Sequence, residues 1–500
     1  MSAFLRIHVR ARQAGDPVDW IVATEGRFFF VVWARGAGSA ESATLRAVNE
    51  RSPLRSNSLA FPEVLATSVA LIGLSMTPVL VAPYTFASAG NGSWLAYVFG
   101  GVMLLFVALN LNQFAKRSSS AGSMYGYAAS NLGSTAGAVA GWTLIWAYVF
   151  VGASQFGAMS LFIQNIARTA GLGVPTLLVF AVLAAGLWIV AYRDIQLSTI
   201  LMLALETISV IIISTILGII LVRHGPHVDS AQLHLQGVQL NALAGLGVAT
   251  AIFSFVGFEC ATAFGEEARQ PLITIPRAVV GSVIIAGIFF VISLYAETLG
   301  LRGSGTTLDK LSAPLWTLAD LYHVGYFKIP IAIGAIFSSF SVALACVTTC
   351  ARIILAMTRK DLFPSGAAAI QPRFATPYVA VAISVTAMVV IALAMFAAGV
   401  SPINIFNYSG TLSAFGFILI YALIAIAAPR YLRRIGDHRV VDYAIAALAL
   451  IFLFVPAVTL FYPPPPPPTN VFAYIFVVYI LAGWIWFAFV RQPAARTRTP

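Results

Sequence analysis

The chain has 500 residues, 59% of them hydrophobic and only 9% charged, with a mean hydropathy of +0.89. A water-soluble fold keeps about a quarter of its residues charged, so that class is excluded. The net charge of +11 would suit a nucleic-acid binder, but the basic residues are scattered in short intervals between apolar runs rather than gathered on one face.

Those runs are about 18–28 residues long, enough to cross a hydrocarbon core as helices. In lipid the backbone must satisfy its own hydrogen bonds, and barrel-type alternation is absent, so the runs are helical. The reading is an all-α integral membrane protein of about 12 transmembrane helices.

In chain order, residues 1–57 come first, rich in Arg, Ala and Ser and without an apolar stripe; they read as a disordered cytoplasmic tail. The patch from Phe28 to Ala34 is too short to span, and the polar stretch before it is too long for a signal peptide. Either the tail is native or the assigned start lies upstream of the true one. Spans follow at 64–89, 94–114, 136–166, 174–192, 196–222, 242–264, 278–300, 329–356, 378–399, 403–428, 441–461 and 471–490. The third is long enough to include a surface segment. With the N-terminus inside, the tails and inner loops hold 23 Lys/Arg, the outer loops five, and one, Arg352, lies within a span. That asymmetry is the positive-inside pattern for an even number of spans and puts both termini, including the tail 491–500, in the cytoplasm. Pro463 to Pro468, between the last two spans, read as a stiff polyproline rod of about 19 Å. Cys260, Cys346 and Cys350 all lie in spans, as small packing residues.

Two spans are irregular. The first reads Ile72-Gly73-Leu74-Ser75-Met76-Thr77-Pro78-Val79-Leu80-Val81-Ala82-Pro83, and the sixth Phe253-Ser254-Phe255-Val256-Gly257-Phe258-Glu259. Proline or glycine in one membrane helix commonly gives a kink. A matched pair at corresponding places in two five-helix halves, one member with a carboxylate, points to broken helices around a midplane site. Exposed amide ends there favour a carboxylate, and unwound carbonyls favour an ammonium or a cation.

The segment from Phe255 to Glu259, with Glu266-Glu267-Ala268-Arg269-Gln270-Pro271 and Ile275-Pro276-Arg277-Ala278, resembles the sixth helix and following loop of amino acid permeases of the amino acid–polyamine–organocation superfamily. Ala121 to Tyr127 with Gly141-Trp142, Ala351 to Pro364, and Gly410-Thr411-Leu412 ahead of Tyr421 resemble three further segments of that family. The resemblance covers about residues 58–490. It implies a five-plus-five inverted repeat like the leucine transporter (repeat one 64–222, repeat two 242–428) with extra helices over 441–490. In one respect the chain departs from it: Met76-Thr77-Pro78 stands where many members have glycine-serine-glycine, and Pro78 removes an amide from the presumed carboxylate cradle.

By position in the family, backbone groups at Ser75, Met76 and Thr77 are candidates for a substrate carboxylate. The carbonyls of Phe253 and Val256, beside Gly257, are candidates for its amino group, with the Phe253 ring as a lid. Glu259 lies seven residues before Glu266, about 10 Å inside the membrane. A carboxylate so deep costs about 2.5–3.5 kcal/mol, so it is either a proton-coupling group or a structural hydrogen-bonder. Glu206 has the same two readings. Ser338, Ser339 and Ser341 either offer oxygen atoms where related folds hold sodium or bond between helices. Arg352 either snorkels to the inner surface or pairs with Glu266 or Glu267 as an inner gate. Trp146, Tyr148, Gln155, Asn404, Asn407 and Tyr408 either read the substrate side chain or pack.

All six histidines lie in tails or loops, and no phosphate-binding loop is present, so the chain offers no reactive constellation, cofactor motif or metal ligand set. The expected partners are the bilayer, an amino acid or related amine, and a proton or counter-substrate. The expectation is a proton-coupled or exchanging amino acid permease of the inner cell membrane. An amine or polyamine permease and a substrate sensor that does not transport are the alternatives.

Overall fold

The computed structural model describes residues 20–24, 27–31, 57–118, 122–193, 195–225, 228–240, 243, 247–462 and 467–496. Residues 1–53 and 54–500 are separate units. In the first, strands β1 (Trp20–Thr24) and β2 (Arg27–Val31) pair as an antiparallel hairpin. The rest of that tail, and most of the Pro463 to Pro468 run, lie outside the described residues.

The second unit begins with α1, in two pieces. The helix α1a (Phe61–Ile72) stops at Gly73, a π-helical turn covers Thr77–Val81, and α1b (Ala82–Ala89) completes the crossing. Uninterrupted helices follow as α2 (Ser93–Ala115), α3 (Ser134–Thr169), α4 (Thr176–Tyr192) and α5 (Ile195–His224). The sixth span is broken again, into α6a (Val248–Phe255) and a 3₁₀ segment, Phe258–Phe264. Then come α7 (Pro271–Gly300), α8 (Lys328–Thr358), α9 (Tyr378–Ala397), α10 (Pro402–Ile435), α11 (Val440–Thr459) and α12 (Phe472–Arg496). The third span is one helix throughout, and a separate helix, Ser123–Leu132, precedes it.

Packing between helices repeats with a shift of five. The pairs α2–α7 and α3–α8 map onto themselves; α3–α10 is answered by α8–α5, α3–α4 by α8–α9, α4–α8 by α9–α3, and α1a–α7 by α6a–α2. Because five is odd, the second copy runs through the bilayer in the opposite sense, so the repeat is inverted. Outside it, α11 packs on α2 and α10, and α12 on α3 and α10. Burial follows this plan: the most apolar stretch of α3 or α8 is 78% buried, against 22% for that of α11. Leu197, Ile211, Ile451, Phe454 and Trp484 lie on exposed surfaces of the outer helices, as lipid contact requires. The core is therefore α1, α3, α6 and α8.

Gly257 has φ of 115°, and a Cβ there would lie 2.6–2.9 Å from the side chain and backbone of Leu71 in α1a. Both conformation and space demand glycine at this contact. Gly257→Ala is expected to cost at least ~2 kcal/mol from strain and overpacking together, lowering the thermal unfolding midpoint in detergent by several degrees. An unchanged midpoint would show that the two breaks are not in tight contact.

Candidate functional site

The break in α1 turns on Gly73, in the left-handed region at φ 63°. Its amide still bonds Val69 at 3.1 Å, and its carbonyl accepts the Met76 amide at 2.9 Å. The sequence reading put the break at Met76-Thr77-Pro78; in the structure the hinge comes three residues earlier. Pro78 starts the following π-helical turn, where a missing N–H is tolerated. In the sixth span the helix ends when the Val256 amide closes on the Phe253 carbonyl at 3.3 Å and Gly257 reverses the chain. Ser68 of α1a joins the two breaks: its hydroxyl donates to the Phe258 carbonyl at 2.8 Å and accepts from the Ala261 amide at 3.1 Å.

A carboxylate braces each break. Glu206 of α5 accepts the Ser75 amide at 3.4 Å, with Leu74 and Ser338 as its other polar neighbours. Its second oxygen, the Ser75 hydroxyl and the Ser338 hydroxyl have no hydrogen-bond partner. Glu259, fully buried, accepts the Tyr148 hydroxyl of α3 at 2.7 Å, the Tyr421 hydroxyl of α10 at 2.8 Å and the Gly257 amide at 3.1 Å. The Tyr148 hydroxyl is thus turned to Glu259. Of the α8 serines, Ser339 bonds the Met76 sulfur and Ser341 the Met202 carbonyl, so both tie helices together.

Between the breaks lies a cavity of about 30 Å³, the size of a water molecule. Met76, Thr77 and Val81 line it from α1, and Phe253, Ser254 and Val256 from α6. Gln155 of α3, Val342 of α8 and Phe406 of α10 close its sides, and no charged residue reaches it. Next to it opens a vestibule of about 500 Å³ that contains Tyr84, Asn404, Asn407 and Tyr408. Val81, Phe253 and Phe406 line both spaces and form the constriction between them. The Phe253 ring rests on α10 at Gly410, where a Cβ would come within 2.7 Å of it. Trp146 does not face either space: its ring nitrogen donates to the Leu412 carbonyl at 2.6 Å, and its ring packs on Phe150, Phe476 and Tyr479.

At the other end of α8 the charged residues are paired. Arg352 of α8 makes a two-pronged pair with Glu267 at 2.6 and 2.7 Å, donates to the Thr348 carbonyl, and stacks on Phe264. Both charges are buried, and Arg359 pairs with Glu266 at 3.0 Å just outside. Of the two readings of Arg352, pairing is the one realised. The loop that carries both glutamates also holds the start of α1a, since the Ser58 and Leu59 amides donate to the Glu267 carbonyl.

One further deep carboxylate escaped the sequence reading. Glu297 of α7 is fully buried, and neither of its oxygens has a hydrogen-bond partner. It stands near the end of its span, where a charge is cheap; the available signal was its place inside the apolar run from Ile292 to Leu301.

Two broken helices crossing at midplane, inside an inverted repeat and between two mouths of different construction, define a secondary-transporter fold. The amino acid permease family model matches residues 69–497, and the chain belongs to that family. It is 30% identical to cationic amino acid transporter 4 of Mus musculus over 66% of this chain and 53% of that protein. It is 23% identical to the branched-chain amino acid permease of Bacillus subtilis over 59% of this chain and 65% of that one. To the low-affinity putrescine importer of Escherichia coli it is 24% identical, over 56% and 63%. The match thus spans about half to two thirds of these relatives.

Removing one partner of a buried, two-pronged pair leaves a bare charge. Arg352→Met is expected to cost about 3–5 kcal/mol, read as a large fall in the unfolding midpoint in detergent. Arg352→Met with Glu267→Met should recover most of it. A double variant no better than the single would mean that Arg352 stabilises through Phe264 and Thr348 rather than through Glu267.

Proposed function

We propose that the protein is a secondary active permease that moves neutral, apolar amino acids across the cytoplasmic membrane by alternating access. The termini lie in the cytoplasm, so the Arg352–Glu267 mouth is the inner one and the vestibule the outer. The observation that carries this reading is the uncharged cavity at the crossing of the two breaks, between an apolar constriction and an ion-paired gate.

The substrate carboxylate would meet the backbone around Ser75, Met76 and Thr77. The Ser75 and Met76 amides are engaged by Glu206 and Gly73, so binding exchanges those bonds for bonds to substrate. The Phe253 and Val256 carbonyls beside Gly257 would take the ammonium. For the side chain there are Val81, Val342 and Phe406, with Gln155 the largest polar group. A cationic side chain or a second amine would lie there without a counter-charge, at a desolvation cost of several kcal/mol. The two carboxylates nearest the breaks are turned to other partners: Glu206 to Ser75, and Glu259 to its tyrosines. This favours neutral amino acids over polyamines.

A cavity of this size admits substrate only when Phe253 swings off Gly410, which makes its ring the outer lid. Inward opening then requires Arg352 and Arg359 to release Glu267 and Glu266. Glu206 and Glu259 are the proposed proton-coupling groups. Each holds one break, so protonation of Glu206 weakens its hold on the Ser75 amide, and protonation of Glu259 forces one tyrosine hydroxyl to give up its bond. The alternative coupling is exchange against a counter-substrate.

Uptake into proteoliposomes, with a labelled panel of leucine, valine, phenylalanine, arginine and putrescine under an imposed pH gradient, tests the reading. Accumulation of the neutral members, at least about tenfold above the charged ones and abolished by a proton ionophore, is expected from a site that offers no counter-charge. Preference for putrescine would establish the amine permease instead, and binding without accumulation a sensor. Glu259→Gln should flatten the pH dependence of uptake; an unchanged profile removes Glu259 from coupling.

A further inference from the structure

Among the described residues, Glu297 is a buried carboxylate that takes no part in the proposed cycle. Glu297 has no hydrogen-bond partner, unlike Glu259 with its three donors and Glu206 with one. A carboxylate buried in this way is tolerated far better when it carries a proton, because no protein donor is there to stabilise the ionised form.

Its surroundings link it to the cavity. The hydroxyl of Tyr97 in α2, within electrostatic reach of Glu297, bonds the Ser254 hydroxyl of α6a at 3.0 Å and the Thr85 hydroxyl of α1b at 3.2 Å, with Thr77 alongside. Ser254 and Thr77 line the central cavity. The vestibule-side halves of both broken helices therefore share one buried hydroxyl cluster that has Glu297 at its edge, and α7 packs directly on the π-helical turn of α1.

Among the described residues, the elements packed on α7 bring Tyr97 from α2, Glu63 from α1a, Glu259 from the 3₁₀ half of α6, Glu206, Arg223 and His224 from α5, and Asp320 from the helix Pro314–Leu321. Of these, Glu259 is held by its tyrosines, Arg223 donates to the Tyr322 carbonyl, and Asp320 pairs with Lys328. Beside α7, the loop residues Asp229 and Arg302 also carry charge. They pair with each other at 2.8 Å, and the Asp229 amide donates to the Tyr295 hydroxyl of α7 at 3.0 Å. Burial would raise the Asp229 carboxyl, but hydrogen bonds from Gln232 and Arg302, with the charge of Arg302, hold it below the usual carboxylate range. Neither member is free to neutralise Glu297.

We propose that Glu297 is a proton-binding site on the vestibule side, distinct from Glu206 and Glu259, whose occupancy is passed to the substrate cavity through Tyr97 and Ser254. One proton adds to a carboxylate oxygen and cancels its charge. Its loss draws the Tyr97 hydroxyl toward the carboxylate and away from Ser254 and Thr85, loosening α6a and α1b together. This inference rests on the permease reading, and the two are tested separately.

The experiment compares wild type, Glu297→Gln and Tyr97→Phe in proteoliposomes. It reads counterflow of labelled leucine at equal pH and initial uptake as the vestibule-side pH is stepped from about 8 to about 5.5. Wild-type counterflow tests the permease reading alone; its absence overturns that reading and this inference with it. With counterflow present, Glu297→Gln is expected to keep counterflow within about twofold. Its uptake should lose the rise, at most about tenfold per pH unit and reached above the titration point, that a single linked proton gives wild type. An unchanged pH profile overturns the inference while leaving the permease reading intact. Should Glu297→Gln fail to reach the membrane, Tyr97→Phe decides: its profile should shift with counterflow retained, and a wild-type profile overturns the link.

Discussion

Breaking a helix in the middle of a bilayer strands backbone amides and carbonyls where no lipid can bond them, and this chain does it twice. Everything at the centre of the molecule follows from how those groups are satisfied. The α1 break closes partly on itself, through Met76 to Gly73, and partly on Glu206 from α5. At the α6 break, Phe253 takes the Val256 amide, and Glu259 takes the Gly257 amide. Ser68 then stitches one break to the other. Because Glu206 comes from α5, and Glu259 is itself tied to tyrosines of α3 and α10, neither break can straighten without disturbing those helices.

The two mouths are closed by different physics. On the Arg352 side a buried, two-pronged ion pair and an outer pair hold the loop after α6 against α8. Such a closure is geometrically exact but carries a large desolvation cost, so it persists only while its partners are aligned. On the vestibule side the barrier is a ring and two aliphatic or aromatic neighbours, Phe253 with Val81 and Phe406. An apolar barrier costs little to part because no charge is stranded when it opens.

Much of this was legible in the sequence. All twelve spans followed from the lengths of apolar runs, and both breaks from small residues and proline inside them. Where the reading slipped, a through-space fact was missing. The hinge at Gly73 and not at Pro78 reflects a left-handed backbone at the glycine, whereas a proline fits the start of the next segment. Tyr148 and Trp146 each had two readings. Helix position alone could not say that the Tyr148 hydroxyl points to a carboxylate 111 residues away, or that the Trp146 ring packs against α10 and α12. The pairing of Arg352 with Glu267 was one of two options on paper, and burial selected it.

Glu297 shows what a count of deep carboxylates can miss. Glu206, Glu259 and Glu297 all sit in apolar helices, yet their surroundings differ in the number of donors: one, three and none. Donor number sets which form of a buried acid is tolerated, since each donor stabilises the anion and competes with a proton. A group with three donors is suited to holding a fixed geometry and yielding it under strong perturbation. One with none has nothing to stabilise its anion and is tolerated when buried in its protonated form. Depth alone therefore does not distinguish a brace from a switch; the donors around the oxygen atoms do.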